Sequence, residues 1–204
     1  MNFKLITILL LLQVTISCVG QKNESHEEVN VSIIKCDSIY QNKKISIKLI
    51  NFDDERDGYL SDKNSILEIQ TETNSKTKII LRDSIFSKVQ KIKFADFNND
   101  KIKDILVQNS SDVRSNWTFN LYLYNPKENN FTKVDGFEEI KNPLFNSKYN
   151  IVESHVNSGT NWIGFYKIIK HKVHNYEIVI DDRGDEKSES EYKKAINKII
   201  KMKI

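Results

Sequence analysis

The amino-acid sequence predicts an all-β fold of antiparallel β-meanders with one helix at its C-terminal end. Short runs of β-branched and aromatic residues recur from Val31 onward, and polar segments separate them, which is typical of strands and turns. In one run Ile45, Ile47 and Leu49 occupy every second position, the period of a strand with one face buried. The end of the chain instead shows helical spacing.

The candidate strands follow one another at short intervals. They are Val31–Cys36, Lys44–Phe52, Ile66–Thr71, Lys78–Leu81, Val89–Phe94, Ile105–Gln108, Trp117–Tyr124, Phe131–Val134, Ile151–His155, Trp162–Ile169 and Tyr176–Ile180. The polar segment Asn125–Asn130 contains Pro126 and lies between two of them, so it predicts a hairpin loop.

The tail predicts a helix over residues 188–203. Ser188 and Glu191 fit a capping box, which satisfies backbone N–H groups at a helix start. Tyr192, Ile196 and Ile199 then recur at helical spacing, and the outer face is rich in lysine. The helix is therefore either a lid packed on a sheet or a basic amphipathic helix at a membrane surface.

Composition places the chain among globular proteins. Of its 204 residues, 39% are hydrophobic and 29% are charged, and the net charge is only +3. Proteins that bind nucleic acid usually carry a larger or more clustered basic excess, so we expect no nucleic-acid partner. The chain is long enough for one good core.

The start of the chain predicts export. A basic N-terminus, an apolar run and small residues after it have the layout of a signal peptide over residues 1–17. The stretch Thr15-Ile16-Ser17-Cys18 resembles a bacterial lipoprotein box, in which the cysteine is lipidated. We therefore expect lipidation of Cys18, a lipid anchor to the membrane, and a location in the periplasm or at the cell surface. The polar residues 18–30 would form a tether.

The lipoprotein box is incomplete, which leaves an alternative. Thr15 stands where such boxes usually have Leu, so plain cleavage near Gly20 and secretion are also compatible with the sequence. If Cys18 carries lipid, Cys36 is a lone thiol that we expect to be buried. If Cys18 is retained without lipid, a Cys18–Cys36 disulfide can form.

The segment Asp96–Asp104 contains a set of oxygen-bearing side chains whose spacing is typical of a metal site. Oxygen-bearing side chains fall at loop positions 1, 3, 5 and 9, and Ile102 at position 7 would add its backbone carbonyl; the four side chains are Asp96, Asn98, Asp100 and Asp104. Ca²⁺ takes about 6–8 oxygen ligands, and clustered carboxylates repel one another without a cation. We therefore expect a Ca²⁺ site in this loop.

The loop departs from an EF-hand at two positions. Position 12 is Val107 instead of Glu, and position 6 is Lys101 instead of Gly. Position 6 needs a positive φ, which a Lys adopts only at some cost. Lys101 and Lys103 also reduce the local negative charge, so we expect a weakened site.

The Asp-x-Asn-x-Asp-x-x-x-Asp run, followed by Ile-Leu-Val, resembles the calcium loop of FG-GAP/VCBS-type β-repeats. With Asn120–Asn125, Asn130–Lys133 and Pro143-Leu144 downstream, it is similar to a family of secreted bacterial proteins. One member of that family is a β-propeller inhibitor of c-type lysozyme. The resemblance covers about residues 50–180. It implies a small or partial β-propeller-like fold that binds Ca²⁺ between strands.

A second acidic loop is compatible with a repeat. Its oxygen-bearing residues at positions 1, 3, 5 and 9 are Asp53, Glu55, Asp57 and Ser61. The loop begins 43 residues before Asp96, within the spacing of propeller blades. Arg56 lies among these residues, so a solvated turn without metal is the alternative to a weak second metal site.

These features favour a non-enzymatic binding module at the cell envelope, with a protein or glycan partner. Inhibition of a c-type lysozyme is one concrete version, which the family resemblance suggests. Trp162 follows a flexible turn and is either a contact for the partner or part of the core. The alternatives are a surface polysaccharide hydrolase with a carboxylate pair and a structural envelope lipoprotein.

Overall fold

The computed structural model describes residues 29–52 and 63–202. The described chain contains twelve strands and one α-helix. The strands are β1 Val29–Lys35, β2 Ile45–Phe52, β3 Ser65–Thr73, β4 Lys76–Ile85, β5 Ile92–Ala95, β6 Asp104–Ser111, β7 Trp117–Asn125, β8 Asn130–Lys133, β9 Pro143–Asn146, β10 Ile151–Val156, β11 Trp162–Ile169 and β12 Lys172–Asp181, and the helix is α1 Glu186–Lys201.

The strands form three four-stranded antiparallel sheets, each built from four consecutive strands. Sheet 1 contains β1–β4, sheet 2 contains β5–β8 and sheet 3 contains β9–β12, and each strand pairs with the next along the chain. The β7–β8 pair closes with Asn125 opposite Asn130, as the predicted hairpin loop requires. The predicted all-β class, the antiparallel meanders and the C-terminal helix are therefore confirmed.

Sheet 2 lies between the other two sheets because both of its faces are apolar. Ile105 and Val107 belong to the core that sheet 2 shares with sheet 1. Leu106 and Leu121 belong to the core that it shares with sheet 3. Successive side chains of a strand point to opposite faces, so the apolar run Ile105–Val107 of β6 supplies both interfaces at once.

Sheet 3 is covered on its far face by α1. Ile151 and Phe165 pack there with Ala195, Ile196 and Ile199 of the helix. The apolar stripe of α1 therefore lies on a sheet, as in the lid arrangement, and its lysines face outward. In the described part of the chain, no helix has the length and apolar character needed to span a membrane.

The start of α1 differs from the prediction. The helix spans Glu186–Lys201 rather than 188–203, and Asp185, not Ser188, is its N-cap. The Asp185 carboxylate accepts hydrogen bonds from the Ser188 backbone N–H at 2.7 Å and from its hydroxyl at 2.8 Å. A carboxylate is an equally good N-cap, and it holds Ser188 inside the first turn.

Several strands also differ from the sequence prediction; β4 and β12, for example, are longer than predicted at both ends. Val29 and Asn30, assigned to the tether, pair with Phe52 and Asn51 as the first residues of β1. The strand β9, Pro143–Asn146, was not predicted; it is short and begins with a proline. Proline is tolerated at the first residue of an edge strand, and β9 is the edge of sheet 3.

The residue Cys36 follows β1 and is fully buried with a free thiol. Burial in this apolar core, with Asp37 nearby, raises the pKa of the thiol to about 11, so it is protonated at neutral pH. Cys18, with the predicted signal peptide and most of the tether, lies outside the described residues.

Candidate functional site

The predicted calcium loop connects β5 to β6, the first two strands of sheet 2. Asp96 directly follows β5, and Asp104 is the first residue of β6. The loop turns through two residues with positive φ, Asn99 at 63° and Lys101 at 68°. Lys101 thus adopts the left-handed conformation that position 6 of the loop pattern requires, although it lacks the freedom of glycine.

The side chains of the loop fold back on its own backbone. Asp96 accepts hydrogen bonds from the backbone N–H groups of Asn98, Asn99 and Lys101, at 3.1, 2.7 and 2.9 Å. Asp100 accepts from the N–H of Ile102 at 2.8 Å. Such side-chain-to-backbone bonds hold a tight turn in place, so the loop has a defined conformation.

The carboxylate of Asp104 is buried and joins the loop to the hairpin beside it. One of its oxygens accepts from the Phe97 N–H at 2.8 Å, and the other accepts from the Tyr124 N–H at 3.0 Å. Burial raises the pKa of Asp104 to about 7; the two N–H groups oppose the shift, and Asp100 and Asp96 add to it. Asp104 therefore has a structural role in the loop.

The donor set of the loop has the chemistry of a hard-cation site. Asp96, Asn98 and Asp100 supply carboxylate and amide oxygens. Oδ1 of Asp96 already accepts two hydrogen bonds, whereas Oδ2 of Asp96 and both oxygens of Asp100 accept one each and keep acceptor capacity. Among residues 29–52 and 63–202, however, no three His, Cys, Asp or Glu side chains converge in a group that could hold a metal ion. The residues fit a cation by type and order, and the calcium site stays a prediction.

The loop is also attached to sheet 1 by a side chain that the sequence did not single out. The Tyr40 hydroxyl, in the β1–β2 connection, donates to the Lys103 carbonyl at 2.8 Å. Its ring lies 4.9 Å from that of Tyr124 and 5.5 Å from that of Phe131, between ring centroids. These contacts make the loop a rigid part of the joint between sheets 1 and 2.

Beside the loop, a groove opens between sheets 2 and 3. Two adjoining cavities of about 670 and 470 Å³ share four lining residues, Lys93, Phe119, Pro143 and Leu144. Lys93 lies over the Phe119 ring with its Nζ 4.6 Å from the ring centroid, and Lys91 lies 5.6 Å from that of Trp117. Burial, with a further contribution from Lys91, lowers the pKa of Lys93.

Sequence reasoning missed this groove, although a signal for it was present. Lys91 and Lys93 alternate with Ile92 and Phe94 in a predicted strand, which places both lysines on one face of it. The second wall of the groove starts at Pro143 in β9, the strand that the sequence did not reveal. We name this feature the lysine groove and define it by Lys91, Lys93, Trp117, Phe119, Pro143 and Leu144.

The other predicted site residues lie away from the groove or outside the described residues. Trp162 begins β11 and is half-buried. A side chain at Gly164 would place its Cβ 3.2 Å from Cζ3 of Trp162, so the absence of a side chain there makes room for the indole. Trp162 is therefore packed within the protein and also partly accessible.

The second acidic loop, Asp53 to Ser61, lies outside the described residues. In sequence it stands between β2 and β3, whereas Asp96–Asp104 stands between the first and second strands of its sheet. The spacing of 43 residues therefore does not connect equivalent positions of two repeats. Its metal site stays a prediction that the spacing does not support.

Comparison of the chain with family models, with curated proteins and with solved structures finds no match. The resemblance to calcium-loop repeats accordingly depends on the loop and hairpin motifs of this sequence.

Proposed function

We propose that the chain is an exported, calcium-stabilised β-repeat binding module of the cell envelope. The observation that carries the proposal is the face-to-face stacking of three consecutive four-stranded meanders. Radial repetition of four-stranded sheets is the principle of β-propellers, and the three sheets would be blades of a partial propeller. Rigid scaffolds of this kind present loops and strand edges to a partner.

In this proposal Ca²⁺ is held by Asp96, Asn98 and Asp100, with the Ile102 carbonyl and Asp104 completing the set. A bound cation would neutralise the repulsion among these carboxylates. The chain's own residues already fix the turn, because Asp96 and Asp104 accept five backbone N–H groups in total, three and two respectively. Calcium would add its binding free energy to the folded state.

Thermal unfolding of the full chain, with saturating Ca²⁺ and with a chelator, tests the metal. Stabilisation should reach about 2.7 kcal/mol at a hundredfold excess over Kd, and Asp100→Ala should abolish most of it. Asp135→Ala is the matched control, since Asp135 is an exposed aspartate. Its one ion pair among the described residues is with Lys172, at 4.0 Å. Equal melting with and without Ca²⁺ would reject the calcium part.

Inhibition of a c-type lysozyme is the specific version of the binding role. Lysis of a bacterial suspension by the lysozyme should slow when the full chain is added at micromolar concentration. If lysis is unchanged, the lysozyme version fails, and a binding module for another protein or for a glycan remains. The hydrolase and the structural lipoprotein stay predictions; release of sugars from cell-wall material would support the first.

Anchoring by lipid is tested separately from binding. The full chain made in bacteria should incorporate labelled fatty acid and sediment with membranes, and Cys18→Ser should do neither. Cys36→Ser is the control, because Cys36 is buried and its substitution leaves the lipid acceptor intact. Recovery of the unsubstituted chain in the soluble fraction without label would favour secretion after cleavage near Gly20.

A further inference from the structure

The strand β5 is an edge strand that carries two lysines beside the lysine groove. Its one neighbour in sheet 2 is β6, so one side of its backbone is not part of a sheet ladder. Lys93 lies within β5, and Lys91 lies one residue before it. Side chains two positions apart on a strand lie on one face, about 7 Å apart. Alternate side chains of a strand added alongside β5 would have the same spacing as the two lysines.

The two lysines carry charge that the protein does not neutralise. Within residues 29–52 and 63–202, no ion pair involves Lys91 or Lys93; both ammonium groups instead lie over aromatic rings. The mutual repulsion of the two lysines contributes to the lowered pKa of Lys93. An anionic partner would remove this repulsion.

The other charged groups along the groove leave it basic. Lys103 and Asp96 line one end, and the Asp96 carboxylate already accepts three backbone N–H groups. His155 lines the other end, with its Nε2 3.1 Å from the Glu153 carboxylate. Lys103, like Lys91 and Lys93, has no ion-pair partner among the described residues. Three lysines therefore outweigh the single carboxylate of Asp96 and leave the groove basic.

The groove also offers apolar surface next to these charges. Phe119 is buried at its floor, whereas Leu144 on the opposite wall is 57% exposed. A ligand that fits must therefore combine negative charge at regular spacing with an apolar group beside it. An extended peptide meets both conditions, because successive side chains alternate between its two faces, and its backbone can pair with an edge strand.

We propose that the lysine groove binds an extended acidic peptide segment of another protein, which adds a strand along β5 and places carboxylates opposite Lys91 and Lys93. The inference rests on the binding role proposed above. It adds the chemical class of a partner and the site that receives it. Carboxylate–ammonium pairs would provide specificity across the strands, and backbone hydrogen bonds to β5 would provide orientation.

Fluorescence polarisation with the full chain tests the proposal. The probe is a labelled peptide in which Glu alternates with Val or Thr, compared with a peptide of the same composition whose Glu residues form one block. The alternating peptide should bind at least about tenfold more tightly, a difference of about 1.4 kcal/mol. In an added strand, alternate backbone N–H groups of the peptide point toward β5. Methylation of the peptide nitrogens on that edge should abolish binding.

The variant Lys91→Gln/Lys93→Gln should weaken binding by about tenfold or more. The matched control is Lys76→Gln/Lys78→Gln, which removes the same charge from two exposed lysines at the same spacing on β4, another edge strand. Equal loss in both variants would indicate non-specific attraction and overturn the proposal, as would equal affinity for the blocked peptide. Binding of a polyuronate in place of the peptide would show that the occupant is an acidic glycan and would also overturn it.

The outcome is independent of the lysozyme and calcium assays. Failure of the peptide to bind, with lysozyme inhibition intact, would reject the acidic-peptide site and leave the binding module. Peptide binding without lysozyme inhibition would reject the lysozyme version and leave the site.

Discussion

The two faces of sheet 2 are built differently. Toward sheet 1, the interface is closed by large side chains with almost no exposed surface, among them Tyr122, Leu49 and Ile47. Toward sheet 3, the centre is equally buried, but the margin opens into the lysine groove. There the sheets are held together by hydrogen bonds of two amide side chains, Asn116 and Asn142, which we call the amide clamp.

This difference predicts how strongly substitutions in each region affect stability. Burial of apolar surface supplies most of the free energy of folding, and the sheet 1–sheet 2 interface consists almost entirely of it. Polar groups at the other margin satisfy one another and keep accessible surface between the sheets. Substitutions should therefore be costly at the closed interface, intermediate at the amide clamp and nearly neutral in the lysine groove.

Truncation at the closed interface should have the largest effect. Leu49 is 1% exposed and packs between sheets 1 and 2, so Leu49→Ala should lower the free energy of unfolding by about 2–5 kcal/mol. Leu144→Ala, at a leucine that is 57% exposed in the groove wall, should change it by about 0.5 kcal/mol or less. Urea unfolding measures both, and equal losses would contradict the comparison.

The amide clamp between sheets 2 and 3 should give the next largest effect. Asn116 is buried; its side chain donates to Asp112 and to the Asn157 carbonyl and accepts from Asn142 and the Asn157 N–H. Asn116→Ala removes these four hydrogen bonds and should cost about 2–3 kcal/mol in unfolding free energy. Asn197→Ala, at an exposed position of α1, should cost nothing, and the two variants are compared by urea unfolding.

The attachment of α1 to sheet 3 gives a smaller effect that depends on pH. The Tyr192 hydroxyl donates to the buried Glu153 carboxylate at 2.6 Å. Burial alone would raise the pKa of Glu153, but hydrogen bonds from His155, Tyr192 and Asn146 outweigh it and lower the pKa below 4.5. A carboxyl pKa that is lower in the folded protein stabilises the fold at pH above the unfolded-state pKa. This stabilisation is lost as the pH falls through the folded-state pKa.

The variant Tyr192→Phe should therefore lower the unfolding free energy by about 1.5–3 kcal/mol at neutral pH, the value of a hydrogen bond to a charged group. The difference from the unsubstituted chain should shrink as pH falls below about 4.5. Tyr149→Phe serves as the control, because the Tyr149 hydroxyl makes no hydrogen bond in the described part of the chain. A difference that is constant from neutral to acid pH would show that Glu153 is not involved.

How much of the structure could be predicted from the sequence differs between regions. Runs of β-branched and aromatic residues located eleven of the twelve strands in the described residues, and several of these runs alternate with period two because the strand buries one face. The same pattern did not reveal β9, since four residues beginning with Pro143 are too few to show a period. The N-cap of α1 was placed three residues late because Asp185 and Ser188 are both acceptable caps, and packing on sheet 3 decides between them.

The candidate sites show the same limit. The order of oxygen side chains in Asp96–Asp104 and the positive φ of Lys101 follow from local sequence. The dual hydrogen bonding of Asp104 does not, because Tyr124 lies twenty residues away and reaches it only through the pairing of β6 with β7. The lysine groove likewise forms only where sheets 2 and 3 pack against each other, and no local sequence pattern predicts the distance between the two sheets.

The smallest expected effect on stability lies in the lysine groove itself. Lys133 at the closed interface pairs with Asp83 at 2.8 Å, so Lys133→Gln should cost about 0.5–1 kcal/mol. Lys93→Gln removes a charge that has no ion-pair partner among the described residues and is repelled by Lys91, so unfolding free energy should stay within about 0.5 kcal/mol, with a slight gain at low salt. A loss at Lys93 as large as that at Lys133 would mean that the groove is a structural joint. An unchanged or slightly higher stability would show that Lys93 contributes little to holding the fold together, as a groove that is free to bind an anionic partner requires.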